Sequence, residues 1–345
     1  MSNLSITTRC NQNCPYCFAG DSRGAIGSAT MMSRETFLRA VAYLRRSKIR
    51  QVRLLGGEPT LHPDFAWMTE TAIAEGFDLL VFSNGLMSEA IVRHLEEVPD
   101  DRLCILLNTL DPVRGITSNI RRQRAVMQRL RKRVMLGVNV YTRGQPLDHL
   151  LDDIEAFELK REIRVGLAQP LLTRQNRYLH PKFYLDVGKA LADFHHRAAQ
   201  RGIRLGADCG FVPCMFPPQA WDSLEDLLER SGRCCHPNLD LLPDGRFISC
   251  YPLHDLKQIP LDEATTAEEL IRQFEQARSG VRELGVFPFC RDCPLFGQRC
   301  NGGCAAMKMR RWTTPPVAEG RPGRGAESTE HHDGEGAPDE RRLSA

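Results

Sequence analysis

The sequence predicts an α/β fold: a partial (βα)6 barrel, then a small cysteine-rich α+β C-terminal extension and a disordered tail. Three observations carry this reading. Six apolar, β-rich runs are each followed by a stretch with helical spacing, the cysteines crowd together beyond them, and apolar residues almost vanish from Thr313 onward. Alternating strand and helix with right-handed crossovers builds a parallel sheet. Six such units fall short of a closed eight-stranded barrel, so an open or partial barrel is expected.

The strands are expected at Leu4 to Thr8, Val52 to Leu55, Leu79 to Ser83, Leu103 to Asn108, Val134 to Tyr141 and Ile163 to Ala168. Phe37, Val41 and Leu44 behind a Ser33 cap mark the first helix, and Leu147, Leu150, Leu151, Ile154 and Phe157 mark the fifth. A sixth helix, with Leu191, Phe194, His195 and His196, ends the periodic pattern near Arg201. Domains are therefore expected over 1–203, 204–312 and 313–345. The two adjacent histidines cannot share one helix face and read as packing and solvent residues. Chemistry in such a sheet sits at the C-terminal strand ends, where Asn84, Asn108 and Asn139 stand either as site residues or as caps of strand-to-helix turns. Alternation puts Asn108, Leu106 and Cys104 on one face, with Cys104 as a small packing residue.

Composition bounds the function. Across 345 residues the formal net charge is +3 with 26% charged residues, so no global basic field points to nucleic acid. No apolar run is long enough for a membrane span, and the first residues lack the pattern of a signal peptide, so a cytoplasmic location is expected. In a reducing compartment thirteen cysteines argue for metal ligation over disulfides.

The densest motif is Cys10-Asn-Gln-Asn-Cys14-Pro-Tyr-Cys17, just past the first strand. Three thiolates on one loop leave one iron of a 4Fe-4S cube open to an outside ligand; alone, the triplet also suits a zinc loop. The second motif is Leu54-Leu55-Gly56-Gly57-Glu58-Pro59-Thr60, where a strand runs into two glycines and a carboxylate. Glycine lets backbone approach a ligand closely. Together the two motifs resemble the radical S-adenosylmethionine (SAM) enzymes. The resemblance implies a 4Fe-4S cluster on Cys10, Cys14 and Cys17, with SAM chelating the open iron through its amino and carboxylate groups. It further implies Gly56, Gly57 and Glu58 at the SAM amino group, Tyr16 near the adenine, Asn108 at the ribose, and Arg121 or Arg122 within reach of the SAM carboxylate. Arg124, Arg129, Arg131, Lys132 and Arg133, also on or beside the basic fourth helix, are expected to be solvated.

Beyond the barrel come Cys209, Cys214, Cys234, Cys235, Cys250, Cys290, Cys293, Cys300 and Cys304. Pro243-Asp244-Gly245-Arg246 is a hairpin turn signal that brings Cys235 and Cys250 together. The pattern resembles the SPASM extension, which carries auxiliary 4Fe-4S clusters. The resemblance assigns Cys235, Cys250 and Cys304 to a first auxiliary cluster, with Cys214 or Cys209 as its fourth ligand, and Cys290, Cys293 and Cys300 to a second. Two departures stand out. Six residues, Pro294 to Arg299, separate Cys293 from Cys300, more than is usual, and no cysteine follows Cys304. The second cluster would then be absent, carry a non-cysteine or substrate ligand, or recruit Cys234. A zinc site on Cys290, Cys293, Cys300 and Cys304 is the alternative. His331 and His332, in the tail, read as incidental.

The resemblance implies one-electron reduction by a partner such as flavodoxin or ferredoxin, reductive cleavage of SAM, and hydrogen abstraction from a substrate. Peptide or protein side-chain modification is the first expectation, although the chain begins almost at its first strand, which weakens it. Radical oxidation or rearrangement of a small molecule is the alternative. A non-catalytic Fe-S electron-transfer protein is a third reading, which Gly56-Gly57-Glu58 disfavours, since an electron carrier has no use for an amino-acid-binding strand end.

Overall fold

The computed structural model describes residues 1–18, 29–110, 115–172, 175–225, 227–228 and 235–313. Residues 1–313 form one compact unit; the expected tail and Cys234 lie outside the described residues. Strands and helices alternate as β1 (Asn3–Thr7), α1 (Arg34–Arg46), β2 (Gln51–Gly56), α2 (Phe65–Ala74), β3 (Asp78–Ser83), α3 (Glu89–Glu97), β4 (Leu103–Asn108), α4 (Ser118–Leu130), β5 (Val134–Val140), α5 (Asp148–Ala156), β6 (Glu162–Leu167), α6 (Tyr184–Gln200) and β7 (Arg204–Ala207). Then come β8 (Asp240–Leu241), β9 (Arg246–Ile248), β10 (Gln258–Pro260), α7 (Ala267–Ala277) and α8 (Ala305–Thr313).

The strands form one sheet in the order β10-β9-β8-β1-β2-β3-β4-β5-β6-β7, parallel from β1 through β7. Its two faces differ chemically. Leu4, Val52, Leu54, Val81, Ile105, Leu107, Leu136 and Ile163 are fully buried in one core with Phe37, Leu44, Leu95 and Leu150 of the helices. Burying each such side chain stabilises the fold by about 1.5–3 kcal/mol. The opposite face carries Arg53, Phe82, Cys104, Asn108, Asn139 and Arg164, all only partly covered. Cys104, Leu106 and Asn108 do share this face.

Helix starts follow the expected chemistry. Ser33 Oγ accepts from the Thr36 N–H at 3.1 Å, and Ser88 and Thr117 cap α3 and α4 the same way, each satisfying a donor the helix leaves orphaned. The basic residues around α4 do not simply face water. Arg124 pairs with Asp153 at 2.9 Å, Arg129 with Glu96 at 2.5 Å, Arg131 with Glu158 at 3.0 Å and Arg133 with Asp100 at 2.7 Å, and Lys132 with Asp100 at 3.3 Å. They tie α4 and its following turn to the acidic neighbours α3 and α5.

Two features were not expected. A seventh parallel strand, β7, begins at the predicted 203/204 boundary and pairs with β6 from Glu162↔Arg204 to Val165↔Ala207. It is four residues long with a glycine inside, too short and weakly apolar to register as a strand. Across the sheet, β8 pairs in parallel with β1, and Asn3 Nδ2 donates to Asp240 Oδ1 at 2.6 Å. The predicted hairpin is present: β8 and β9 are antiparallel, joined by a turn in which Gly245 takes φ +81°. Among the described residues no helix is long and apolar enough to cross a membrane.

Candidate iron-sulfur and SAM centre

The loop after β1 carries Cys10, Cys14 and Cys17, and four segments brace it. The Cys17 N–H bonds the Cys14 carbonyl at 3.1 Å, turning the loop on itself. From the end of β2, the N–H groups of Gly57 and Glu58 donate to the carbonyls of Thr7 at 2.8 Å and Arg9 at 2.7 Å. The two glycines make this approach feasible. A Cβ on Gly56 would lie 2.1 Å from the Thr7 carbonyl oxygen, and one on Gly57 would lie 2.1 Å from that of Arg9. Gly56 also takes φ +145°, which side-chain-bearing residues rarely adopt. The glycine pair thus fits strand to loop backbone.

The Glu58 side chain turns inward and is fully buried. Oε1 accepts from the Thr60 N–H at 3.2 Å, Thr60 Oγ1 at 2.6 Å and Ser83 Oγ at 2.9 Å, and Oε2 accepts from the Asn84 N–H at 2.7 Å. Burial pushes its carboxyl up, while these donors hold it down. Its visible work is to lock the end of β2 to the end of β3.

From β3, Asn84 reaches the cluster loop: its amide nitrogen donates to Asn11 Oδ1 at 2.8 Å and to Cys10 Sγ at 3.8 Å. The Gln12 N–H also points to Cys10 Sγ at 3.4 Å. From beyond β6, the Arg177 N–H bonds the Pro15 carbonyl at 2.8 Å and Asn176 Nδ2 the Tyr16 carbonyl at 3.3 Å. Tyr16 packs against Tyr141 with ring centroids 5.0 Å apart, and its hydroxyl bonds the side chains of Asn139 and Cys14. Asn108 directs Oδ1 over Gly137, where a Cβ would lie only 3.2 Å away. Gln123 of α4 ties the strand ends together, donating to the carbonyls of Asn84 at 2.8 Å and Asn108 at 2.9 Å. Arg121 is exposed and bonds the Ile116 carbonyl at 3.1 Å; Arg122 is exposed on the same helix.

Sequence reasoning missed Asn176 and Gln123 as supports, and left Asn84 open between a site residue and a turn cap. Only the side-chain amides of these residues, each able to donate and accept, hinted at such bridging.

In the C-terminal part, Cys250 has Cys235, Cys304, Cys209 and Asp240 as ionisable neighbours. The hairpin does bring the Cys235 and Cys250 thiols together. Burial, then these neighbours, holds the Cys250 thiol well above its usual range. Arg278, also buried, donates to Cys235 Sγ at 3.6 Å and to the Cys235 carbonyl.

The thiol sets suit iron-sulfur clusters. Cys10 and Cys235 receive N–H···S contacts of the kind a negatively charged thiolate takes. Gln169, beside Gly210, is buried with both amide atoms lacking a partner, next to the loop that carries Cys209. Among the described residues no three His, Cys, Asp or Glu side chains converge tightly enough to share a single ion; a cubane asks for looser spacing, because each thiolate holds its own iron.

Comparison with known proteins agrees with this geometry. Residues 4–164 match the model of the radical SAM superfamily. The GTP 3',8-cyclase of Lactiplantibacillus plantarum is 30% identical over 217 residues, which are 58% of this chain and 64% of that one. The chain spans about a third of the length of other curated relatives it matches, also cyclases of this name. Among solved structures, native anSMEcpe with bound AdoMet and Kp18Cys peptide superposes with a TM-score of 0.63 at 19% identity, over 88% of both chains. Streptococcus suis SuiB bound to its precursor peptide SuiA gives 0.62 at 13% identity, over 88% of this chain and 71% of that one. The cysteine triplet at the end of β1, the glycine-braced strand beside it and the matched family model lead to one conclusion: residues 4–164 carry a radical SAM domain, and over 88% of its length, cysteine-rich C-terminal part included, the chain has the fold of anSMEcpe and SuiB.

Proposed function

We propose that this protein is a radical SAM enzyme that abstracts hydrogen from a peptide or protein side chain. The observation that carries the reading is extent. The likeness to anSMEcpe and SuiB, both solved with peptides, runs over 88% of this chain. The longest of the cyclase matches described above covers 58%.

Cys10, Cys14 and Cys17 would hold the cluster, with SAM on its open iron. When bound, this pair supplies one-electron cleavage of SAM to methionine and a 5'-deoxyadenosyl radical. The protein's own tasks are placement and exclusion of water. Asn84 and the Gln12 N–H donate to Cys10 and fix the loop. The backbone of Gly56 and Gly57, held against residues 7 to 9, presents the strand end where the SAM amino group would sit. Glu58 acts through position, holding that strand end to Ser83 and Asn84. Tyr16 would face the adenine and Asn108 the ribose. On the same face of the sheet as Asn108 and Asn139, Arg164 bonds Asp208 at 2.6 Å and lies over Phe82 at 5.1 Å. Reduction would come from a flavodoxin- or ferredoxin-type donor in the reducing cytoplasm.

The cyclase similarity favours a second reading, radical chemistry on a small molecule. Anaerobically reconstituted protein, given SAM and a strong reductant, should form 5'-deoxyadenosine. Offered cysteine-containing peptides and GTP in parallel, it should change the mass of a peptide and leave GTP intact. A new product from GTP would establish the second reading, and no 5'-deoxyadenosine under any condition would refute both.

A further inference from the structure

The structure sorts eight cysteines of the C-terminal part into two sets of four. The first is Cys209, Cys235, Cys250 and Cys304. Cys209 has Cys304 and Cys235 among its ionisable neighbours, and a Cβ on the adjoining Gly210 would lie 3.6 Å from that of Cys304. The second set shares one cavity of about 320 Å³, mouth included, lined by Cys214, Cys290, Cys293 and Cys300. Its other lining residues are apolar, Phe287 and Phe296 among them.

Two short segments separate the sets. Between Cys209 and Cys214 the chain turns at Gly210, φ +101°, and Cys214 itself lies in the 3-10 turn Pro213–Met215. Cys300 and Cys304 are divided by Gly302 and Gly303 at φ +76° and +93°. Each segment leaves one thiol on either side. The two also touch: a Cβ on Gly303 would lie 3.5 Å from Val212.

We propose that Cys214 is the fourth ligand of the second auxiliary cluster, completing Cys290, Cys293 and Cys300, and that Cys209 completes the first. Cys214 takes the place of the cysteine missing after Cys304. This rests on the reading of the C-terminal part as a cluster carrier. Both sites are then closed by four thiolates and offer no open iron, so substrate is held by protein side chains and not by auxiliary iron.

Two further groups fit closed, negatively charged clusters. Lys308 is 3% exposed, and among the described residues its ionisable neighbours are Cys235, Cys304, Cys300 and Cys290, drawn from both sets. A buried ammonium needs compensating charge, and two thiolate-ligated clusters supply it. Tyr184 is also buried, with no partner for its hydroxyl and with Cys304 and Cys214 beside it. That hydroxyl is available to a cluster sulfur.

The test is iron content and electron paramagnetic resonance of the anaerobically reconstituted full chain. Wild type should carry roughly twelve irons, four per cubane. Cys214→Ala should abolish or shift the signal that the Cys290→Ala/Cys293→Ala double variant removes, and Cys209→Ala should alter the one lost with Cys235→Ala/Cys250→Ala. Cys214→Ser, which preserves packing, should keep the chain folded by circular dichroism while shifting the same second signal. Unchanged iron and spectra in both Cys214 variants would overturn the assignment, as would loss of the second signal on Cys234→Ala with Cys214 silent. A wild type with only about four irons would instead refute the cluster-carrier reading beneath it.

Discussion

Asn84 donates its backbone N–H to Glu58 at 2.7 Å and turns its side-chain amide toward Cys10 Sγ at 3.8 Å. One residue therefore links the carboxylate of the glycine motif to the cysteine loop. This contact gives Glu58 a role through the scaffold that its sequence position alone did not suggest.

Glu58→Gln tests that role. Both carboxylate oxygens accept, so an amide NH2 must face a donor and leave a buried group unpaired, at a cost of about 1–3 kcal/mol. The variant should unfold at lower urea concentration than wild type yet retain its iron. An unchanged midpoint would remove Glu58 from the scaffold and return it to direct SAM contact.

Gly57→Ala should be more damaging. The added methyl would sit 2.1 Å from the Arg9 carbonyl oxygen, and neither backbone segment can yield without breaking the bonds between β2 and the cluster loop. We expect low folded yield and, in what folds, loss of the iron bound by the first three cysteines. Gly280→Ala is the control, because nothing lies within 4 Å of a Cβ there and its backbone is outside the left-handed region.

Replacing Cys10, Cys14 and Cys17 together by Ala should abolish 5'-deoxyadenosine formation while leaving roughly eight irons on two remaining cubanes. Loss of all iron would show that the cysteine regions are not independent carriers.

His62 predicts a pH effect. Its Nδ1 accepts from the Asp64 N–H at 3.0 Å, so Nε2 carries the proton and bonds the Met32 carbonyl at 3.0 Å. Burial, opposed by that carbonyl and by Asp64, holds its pKa below the ordinary 6.5. The unfolded chain thus takes up the proton first as pH falls. The stability His62 contributes is complete above the unfolded pKa and is lost on acidification below it. Urea unfolding at two pH values should show a smaller acid loss for His62→Gln than for wild type; equal losses would dismiss His62 as a contributor.

Much of the barrel was legible because strand and helix periodicity is local. The expected Leu103 to Asn108 strand is found with the same bounds, and the other five shift by a residue or so at their ends. The short strands β7 and β8 were hidden, since a few residues paired to distant partners leave no pattern of their own. The Cys235–Cys250 approach could be read from a turn signal. The approach of Cys214 to Cys290 could not, because tertiary packing brings together residues far apart in the chain. The inward turn of Glu58 was equally invisible, since its partners Ser83 and Asn84 sit on another strand.

The pairing of β8 with β1 bears on modularity. Because the C-terminal hairpin continues the sheet from the strand that feeds the cysteine loop, the barrel has no finished border on that side. A fragment cut before β8 would present β1 as a raw edge with unpaired backbone groups, a template for self-association. The SAM-binding half is thus not a free-standing catalytic cassette onto which an accessory was bolted. Excision, domain grafting or minimal-core expression should carry residues through the hairpin.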